Sequence, residues 1–393
     1  MTELMRLAIL ASHPIQYQIP IFRLLAEQLD LKVFFAHRAS ETDQAKAGFG
    51  VGFEWDIDLL AGYEYEFLDN IARHPGLDHF RGCDTPSISE KLANGNYAAL
   101  LVMGWHLKCF LQGVWAAKRS GVPVVVRGDS HLETPRGLVK RVAKMVLYPI
   151  ALRFFNAALY VGQRSRRYWE HYGYPKNQLF FSPHCVDNEW FSERATEVTG
   201  LSLRAKYGIS QNASVLLFAG KLVPFKRPLD LVSAAELLTE TIPNLTVLIA
   251  GSGVLSQKMT DTAAEKGVHL VQLGFCNQTE MPAAYAAADI LVLPSQGEET
   301  WGLVANEALA CGLPIVVSDA CGCAPDLAAD ACAGRVFTMG DVVELANAIA
   351  ELLTNTPDAK ALLGKAMDYS LANAVKGIVD AVEFVTLSEV VSR

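Results

Sequence analysis

The chain has 393 residues, 51% of them hydrophobic, with a formal charge of −8 and neither a low-complexity tract nor an internal repeat. That length suits two domains, each able to bury its own core, and the composition excludes a disordered or fibrous chain. The acidic balance argues against a general nucleic-acid binder, which needs a net basic face.

The start, MTELMRLAILASHP, carries Glu3 and Arg6 and an apolar run too brief for a secretion signal. No uninterrupted apolar run reaches membrane-spanning length. A cytoplasmic protein is expected, with its eight cysteines reduced. Cys311, Cys321, Cys323 and Cys332 fall close together, yet they lack the paired C-x2-C spacing and nearby histidines of structural zinc sites. No metal site is expected.

Along the chain, RLAILAS, LKVFFAH, AALLVMG, VPVVVRG and AALYVG alternate with helix-length segments before residue 165. The pattern restarts at SVLLFAG (214–220) and runs through LTVLIAG, VHLVQLG, DILVLPS and PIVVSD. Such alternation predicts parallel sheets covered by helices, hence an α/β protein of two Rossmann-like, doubly wound domains. The expected units are 1–187, 188–370 and a helical segment 371–393 that packs on either domain. The polar, aperiodic stretch from about Ser182 to Gly200 reads as the linker.

Residues 134–169 hold eight basic residues and no acidic one. Arg136, Lys140 and Lys144 recur every four positions, on one helix face beside Val139, Met145, Val146 and Leu147. The segment fits a surface resting on anionic lipid; a solvated helix face is the other reading.

Ligands of open parallel sheets sit beyond the carboxyl ends of the strands. DILVLPSQGEETWG runs from strand into loop, and LVANEALACG follows as a helix starting near Gly302. The unpaired amides of a helix start suit a phosphate, and Gly302 permits close approach. Glu299 and Glu307 would repel a phosphate, whereas each can accept from two neighbouring hydroxyls of a ribose or hexose. Lys221, Lys226 and Arg227 in FAGKLVPFKRP supply cations. A nucleotide-diphosphate sugar satisfies both sets of groups, with lysines doing the work often given to magnesium.

These motifs in order, GKLVPFK, GSG, LGF, AAADILVLPS and EETWGLVANEALACGLPIVVSD, resemble the C-terminal half of the family 4 glycosyltransferases, retaining enzymes of the GT-B fold. The likeness covers residues 214–330, and Glu299 and Glu307 match the E-x7-E motif. It implies Glu299 beside the transferred sugar, Glu307 on the ribose hydroxyls, and the Trp301, Gly302 and Leu303 backbone at the diphosphate. Lys221 and Lys226 become the catalytic clamp, with Gly220, Gly274, Phe275 and Thr300 around the donor. Relatives commonly carry Arg where Lys221 stands, so a planar fork is exchanged for a point charge.

The N-terminal half resembles the family less tightly, through ASHPIQYQIPIF, VPVVVRGDSH and SPHCVDNEWF. Arg127, Asp129 and His131 compete for the place where donor and acceptor meet, Asp129 standing where many relatives have histidine. His13 and Tyr17, in the loop after the first strand, would face the acceptor. AGSGVLSQ imitates a dinucleotide fingerprint but has Ser256 in place of the third glycine. Asp56 and Asp58 in EWDIDLL read as a solvated pair rather than a metal motif.

The expected function is metal-independent, retaining transfer of a sugar from a nucleotide-diphosphate sugar to a glycan or lipid-linked acceptor in cell-surface polysaccharide assembly. The protein would then work at the inner face of the cell membrane. The alternatives are an epimerase or hydrolase acting on the nucleotide sugar alone, and a non-catalytic nucleotide-sugar binder.

Overall fold

The computed structural model describes residues 4–40, 45, 50–134 and 136–392. Strands β1 (Arg6–Ala11), β2 (Asp30–Phe35), β3 (Glu64–Phe67), β4 (Ala99–Val102), β5 (Val124–Gly128), β6 (Ala157–Tyr160) and β7 (Leu179–Phe181) form one parallel sheet, ordered β3-β2-β1-β4-β5-β6-β7. A second holds β8 (Ser214–Ala219), β9 (Leu245–Ala250), β10 (His269–Gly274), β11 (Ile290–Leu293), β12 (Ile315–Ser318) and β13 (Gly334–Phe337), ordered β10-β9-β8-β11-β12-β13. Both doubly wound units read from the sequence are therefore present. In each sheet the order reverses beside the first strand, at β1/β4 and β8/β11, and the crevice opens at that reversal.

Helices cover both faces of each sheet, so central strands are buried throughout their length. Leu7 and Ile9 enter one apolar cluster while Ala8 and Leu10 enter another, and Val215 and Leu217 alternate likewise with Leu216 and Phe218. Three strands absent from the sequence reading, β3, β7 and β13, are all sheet edges of three or four residues.

The expected linker is mostly helical. Asp187 accepts from the Trp190 amide at 3.0 Å and starts the helix Asn188–Arg194. Thr196 and Thr199 form a reciprocal capping box that starts Glu197–Lys206. These caps are local signals that the polar composition of the stretch concealed. Residues 182–187 are left as the crossing, with a two-residue break at 195–196 between the helices.

The helix Leu371–Ser392 returns to the first sheet. Val375, Ile378, Val382 and Val385 pack there with Leu7, Ile9 and Phe22, each burial contributing about 1.5–3 kcal/mol. Gly377 lies against the Phe181 carbonyl where a β-carbon has no room.

Candidate active site

A cavity of about 350 Å³ occupies the β8/β11 crevice. The second domain contributes Gly220, Lys221, Lys226, Phe275, Glu299, Gly302, Leu303 and Glu307, and the first domain closes it with Gln16, Tyr17 and Trp55. Lys221 and Lys226 follow the carboxyl end of β8, and Glu299 follows β11. The topology thus brings together residues from turns more than seventy positions apart.

The helix Leu303–Ala310 begins at Gly302, whose φ of +102° is left-handed. A β-carbon there would come within 2.5 Å of Leu293 Cδ2. Among the described residues no side chain caps this helix, and its start abuts a cavity whose wall includes Gly302 and Leu303.

Lys226 Nζ pairs with Glu299 Oε2, and each side chain is 13% exposed. Ser295 Oγ donates to the same oxygen at 3.3 Å. Burial and the neighbouring Lys226 push the Lys221 ammonium below the usual lysine range, with Glu299 partly opposing them. Lys221 and Lys226 thus stand together on the cavity wall beside Glu299, two cations within reach of an anionic ligand.

Burial pushes the Glu307 carboxyl up to about 7, against the Tyr285 hydroxyl, which donates to its Oε2 at 2.5 Å. A folded-state value above the ordinary carboxylate range means that folding takes up a proton. The ligand-free protein therefore loses stability as pH rises from that range toward about 7.

The remaining sequence candidates lie outside the cavity wall. Gly274 ends β10 with φ +79° and accepts from the Gly251 amide at 2.7 Å, setting the turn that presents Phe275. Thr300 turns toward the first domain and donates to Asp129 Oδ2 at 2.8 Å. The Trp301 ring is 4% exposed and donates from Nε1 to Asn306 Oδ1 at 2.7 Å. Asp129, whose side chain is 45% exposed, also lies 3.9 Å from His184 Nε2. Burial opposes its ionisation, but the His184 ring and the Thr300 hydroxyl outweigh it and hold the carboxyl below the usual range.

The structure does not bring Arg127, His131 or His13 to the cavity. The Arg127 guanidinium is buried and donates to the carbonyls of Ser182 (3.2 Å) and Pro183 (2.8 Å), gripping the chain where it leaves the first domain. His131 is fully buried, its Nδ1 3.0 Å from Glu133 Oε2. His13 Nδ1 lies 3.0 Å from Ser12 Oγ, within its own loop.

Sequence reasoning missed the closure. Phe53 lies against Phe275 with ring centroids 4.1 Å apart, Asn277 donates to the Glu54 carbonyl at 2.8 Å, and the Thr279 amide donates to Asp56 at 3.1 Å. Asp56 is thus docked on the opposite domain, and Asp58 caps a turn by accepting from the Leu60 amide at 2.9 Å. Both side chains stay exposed, in keeping with the reading of a solvated pair, and the contacts to the opposite domain add to it. The signal available was the aromatic pair Phe53 and Trp55 in a loop between strands. Tyr285 and His184 gave no local signal, since their partners lie 22 and 55 residues away.

The crystal structure of Anabaena HepE in complex with UDP superposes on the chain with a TM-score of 0.73 at 18% identity, covering 97% of this chain and 100% of that one. The fold is GT-B. On the GT-B second domain, residues 201–366 match the family described as Glycosyl transferases group 1. The D-inositol 3-phosphate glycosyltransferase of Corynebacterium aurimucosum is 32% identical over 248 residues, 61% of this chain and 57% of that protein. The protein of the same name from Stackebrandtia nassauensis is 32% identical over 205 residues, 49% and 45% of the two chains. The chain spans about half the length of these curated relatives. The group 1 match falls on the domain that carries Lys221, Lys226, Glu299 and Glu307 in the GT-B cleft.

Proposed function

We propose that the protein is a retaining, metal-independent glycosyltransferase that moves a sugar from a nucleotide-diphosphate sugar to a glycan or lipid-linked acceptor in cell-surface polysaccharide assembly. The observation that carries this reading is the convergence of Lys221, Lys226, Glu299, Glu307 and an uncapped helix start on one cavity at the sheet crevice. The glycosyltransferase names of the relatives and the UDP held by HepE support it.

In this mechanism the diphosphate lies at the Gly302–Leu303 amides with Lys221 and Lys226 as its cations. As the sugar–phosphate bond breaks, negative charge grows on the departing diphosphate. A lysine at ~4 Å then contributes about 4 kcal/mol at an effective dielectric of about 20. Glu307 accepts from the ribose hydroxyls, and Glu299 orients the sugar. The acceptor hydroxyl enters past Tyr17 on the face the diphosphate leaves and gives its proton to the departing phosphate oxygen. Asp129 is a positioning residue in this scheme, tying Thr300, and with it the Glu299 loop, to the first domain.

Thermal-shift measurements across a panel of nucleotide sugars test the donor reading, with UDP-sugars first. A ligand at about 100 times its Kd stabilises by about 2.7 kcal/mol, so a clear rise in melting temperature is expected. No rise with any member would remove the reading. Transfer assayed with and without EDTA should proceed equally, and donor cleavage without acceptor should be slow. Fast acceptor-free turnover would make the enzyme a hydrolase or an epimerase.

Glu307 supplies a pH prediction. The carboxylate is the accepting form, so UDP affinity should fall as pH drops through about 7. Tyr285→Phe removes the hydrogen bond that favours the carboxylate, and the fall should then begin at higher pH. Calorimetric titration of UDP across that range checks this; superimposable profiles for the two proteins would exclude Glu307 from binding.

A further inference from the structure

The helix Leu138–Ala151 is mounted with its polar edge toward the protein. None of its residues is buried. Lys144 and Tyr148, one turn apart, are its half-buried positions: Lys144 Nζ donates to the Tyr168 hydroxyl at 3.1 Å, and the Tyr148 ring packs 5.0 Å from that of Tyr172. Helical geometry puts Val139, Val142, Val146 and Ile150 across the helix from that anchored edge. With Leu138 and Met145 they are 53–83% exposed. A surface helix ordinarily turns such a stripe inward.

Cations border the stripe. Lys140, Arg141 and Arg153 are exposed, and no acidic residue occurs from 134 to 169. A cavity of about 570 Å³ beside the helix is lined by Arg136, Arg141 and His171, with Glu133 also on its wall. A second copy of the chain is a poor occupant, because a two-fold contact through this stripe brings the cationic borders of the two copies together with no acidic residue between 134 and 169 to offset them. An anionic bilayer meets both the apolar stripe and its charged border.

We propose that this helix lies in the interface of an anionic membrane, its apolar stripe among acyl chains and its lysine and arginines at headgroup phosphates. The inference deepens the reading of a lipid-linked acceptor and rests on it for its purpose. The helix is reached directly from the carboxyl end of β5, the end of the first sheet that bears Asp129. Its first turn is therefore at the cleft end of this sheet, and the helix runs back from there toward the start of β6.

Sedimentation of the full chain with vesicles tests it. Pelleting with phosphatidylglycerol/phosphatidylcholine vesicles is expected to exceed that with phosphatidylcholine alone by about tenfold or more, and to weaken as salt rises. Val142→Glu/Val146→Glu should lower it by a similar factor, with melting temperature and response to UDP-sugars unchanged. Pelleting that is absent, or indifferent to those substitutions, overturns the proposal. So does a dimer in size-exclusion chromatography that the same substitutions dissociate without any vesicle binding. Lost pelleting with an intact UDP-sugar response sinks the membrane inference alone; the reverse pattern sinks the donor reading alone.

Discussion

Lys226→Ala is expected to lower turnover about a hundredfold or more, the loss typical when one preorganised electrostatic group is removed from a developing charge. Lys226 faces Glu299 in a site where both are mostly buried, so the alanine variant also strands a carboxylate without its cation. Removing one member of such a pair is destabilising in its own right. The two effects separate in a double variant. Lys226→Ala/Glu299→Gln should recover the lost stability, because the amide needs no cation, while turnover stays low, with the diphosphate lacking its lysine and the sugar its orienting carboxylate. Lys226→Arg, which keeps the charge, should retain part of the rate. Near-normal turnover in Lys226→Ala would remove the lysine from the mechanism.

Trp301→Ala should give the largest loss of stability, about 3–5 kcal/mol by analogy with other buried large aromatics. The ring packs at 5.7 Å from Tyr369 and 5.5 Å from His184, and a β-carbon on Gly162 of the first domain would run into it. Its Nε1 donates to Asn306, whose own amide donates to the His184 carbonyl at 3.2 Å. The substitution therefore empties the seam between the domains as well as part of a core. Urea unfolding should shift to lower denaturant and divide into two steps as the domains uncouple. A shift worth less than about 1 kcal/mol would mean that the seam closes over the gap.

The interior strands were legible because burial on both faces leaves continuous apolar runs such as VLLFA and LTVLIA. The edge strands β3 and β13, EYEF and GRVF, alternate or carry charge, and edges are short by nature. Lys221, Lys226, Glu299 and Glu307 could be grouped in advance because each sits in a local pattern tied to a strand end or helix start. That Lys226 would pair with Glu299 was not legible, since the two were assigned to different parts of a ligand. Arg127 and His131 lie outside the cavity for a related reason. Whether a polar residue at a strand end faces a cleft or grips its own backbone depends on where the chain crosses, and that crossing is fixed by contacts far away in sequence.

The return of the helix Leu371–Ser392 to the first sheet means that the polypeptide passes between the domains twice. The two passes run side by side: Ser182 Oγ donates to the Ala374 carbonyl at 3.0 Å, and Gly377 sits on the Phe181 carbonyl. Two adjacent pivots define one axis, as the pins of a door do. Any opening of the cleft turns about that line, parting Phe53 from Phe275 at its far side while scarcely moving the pivots.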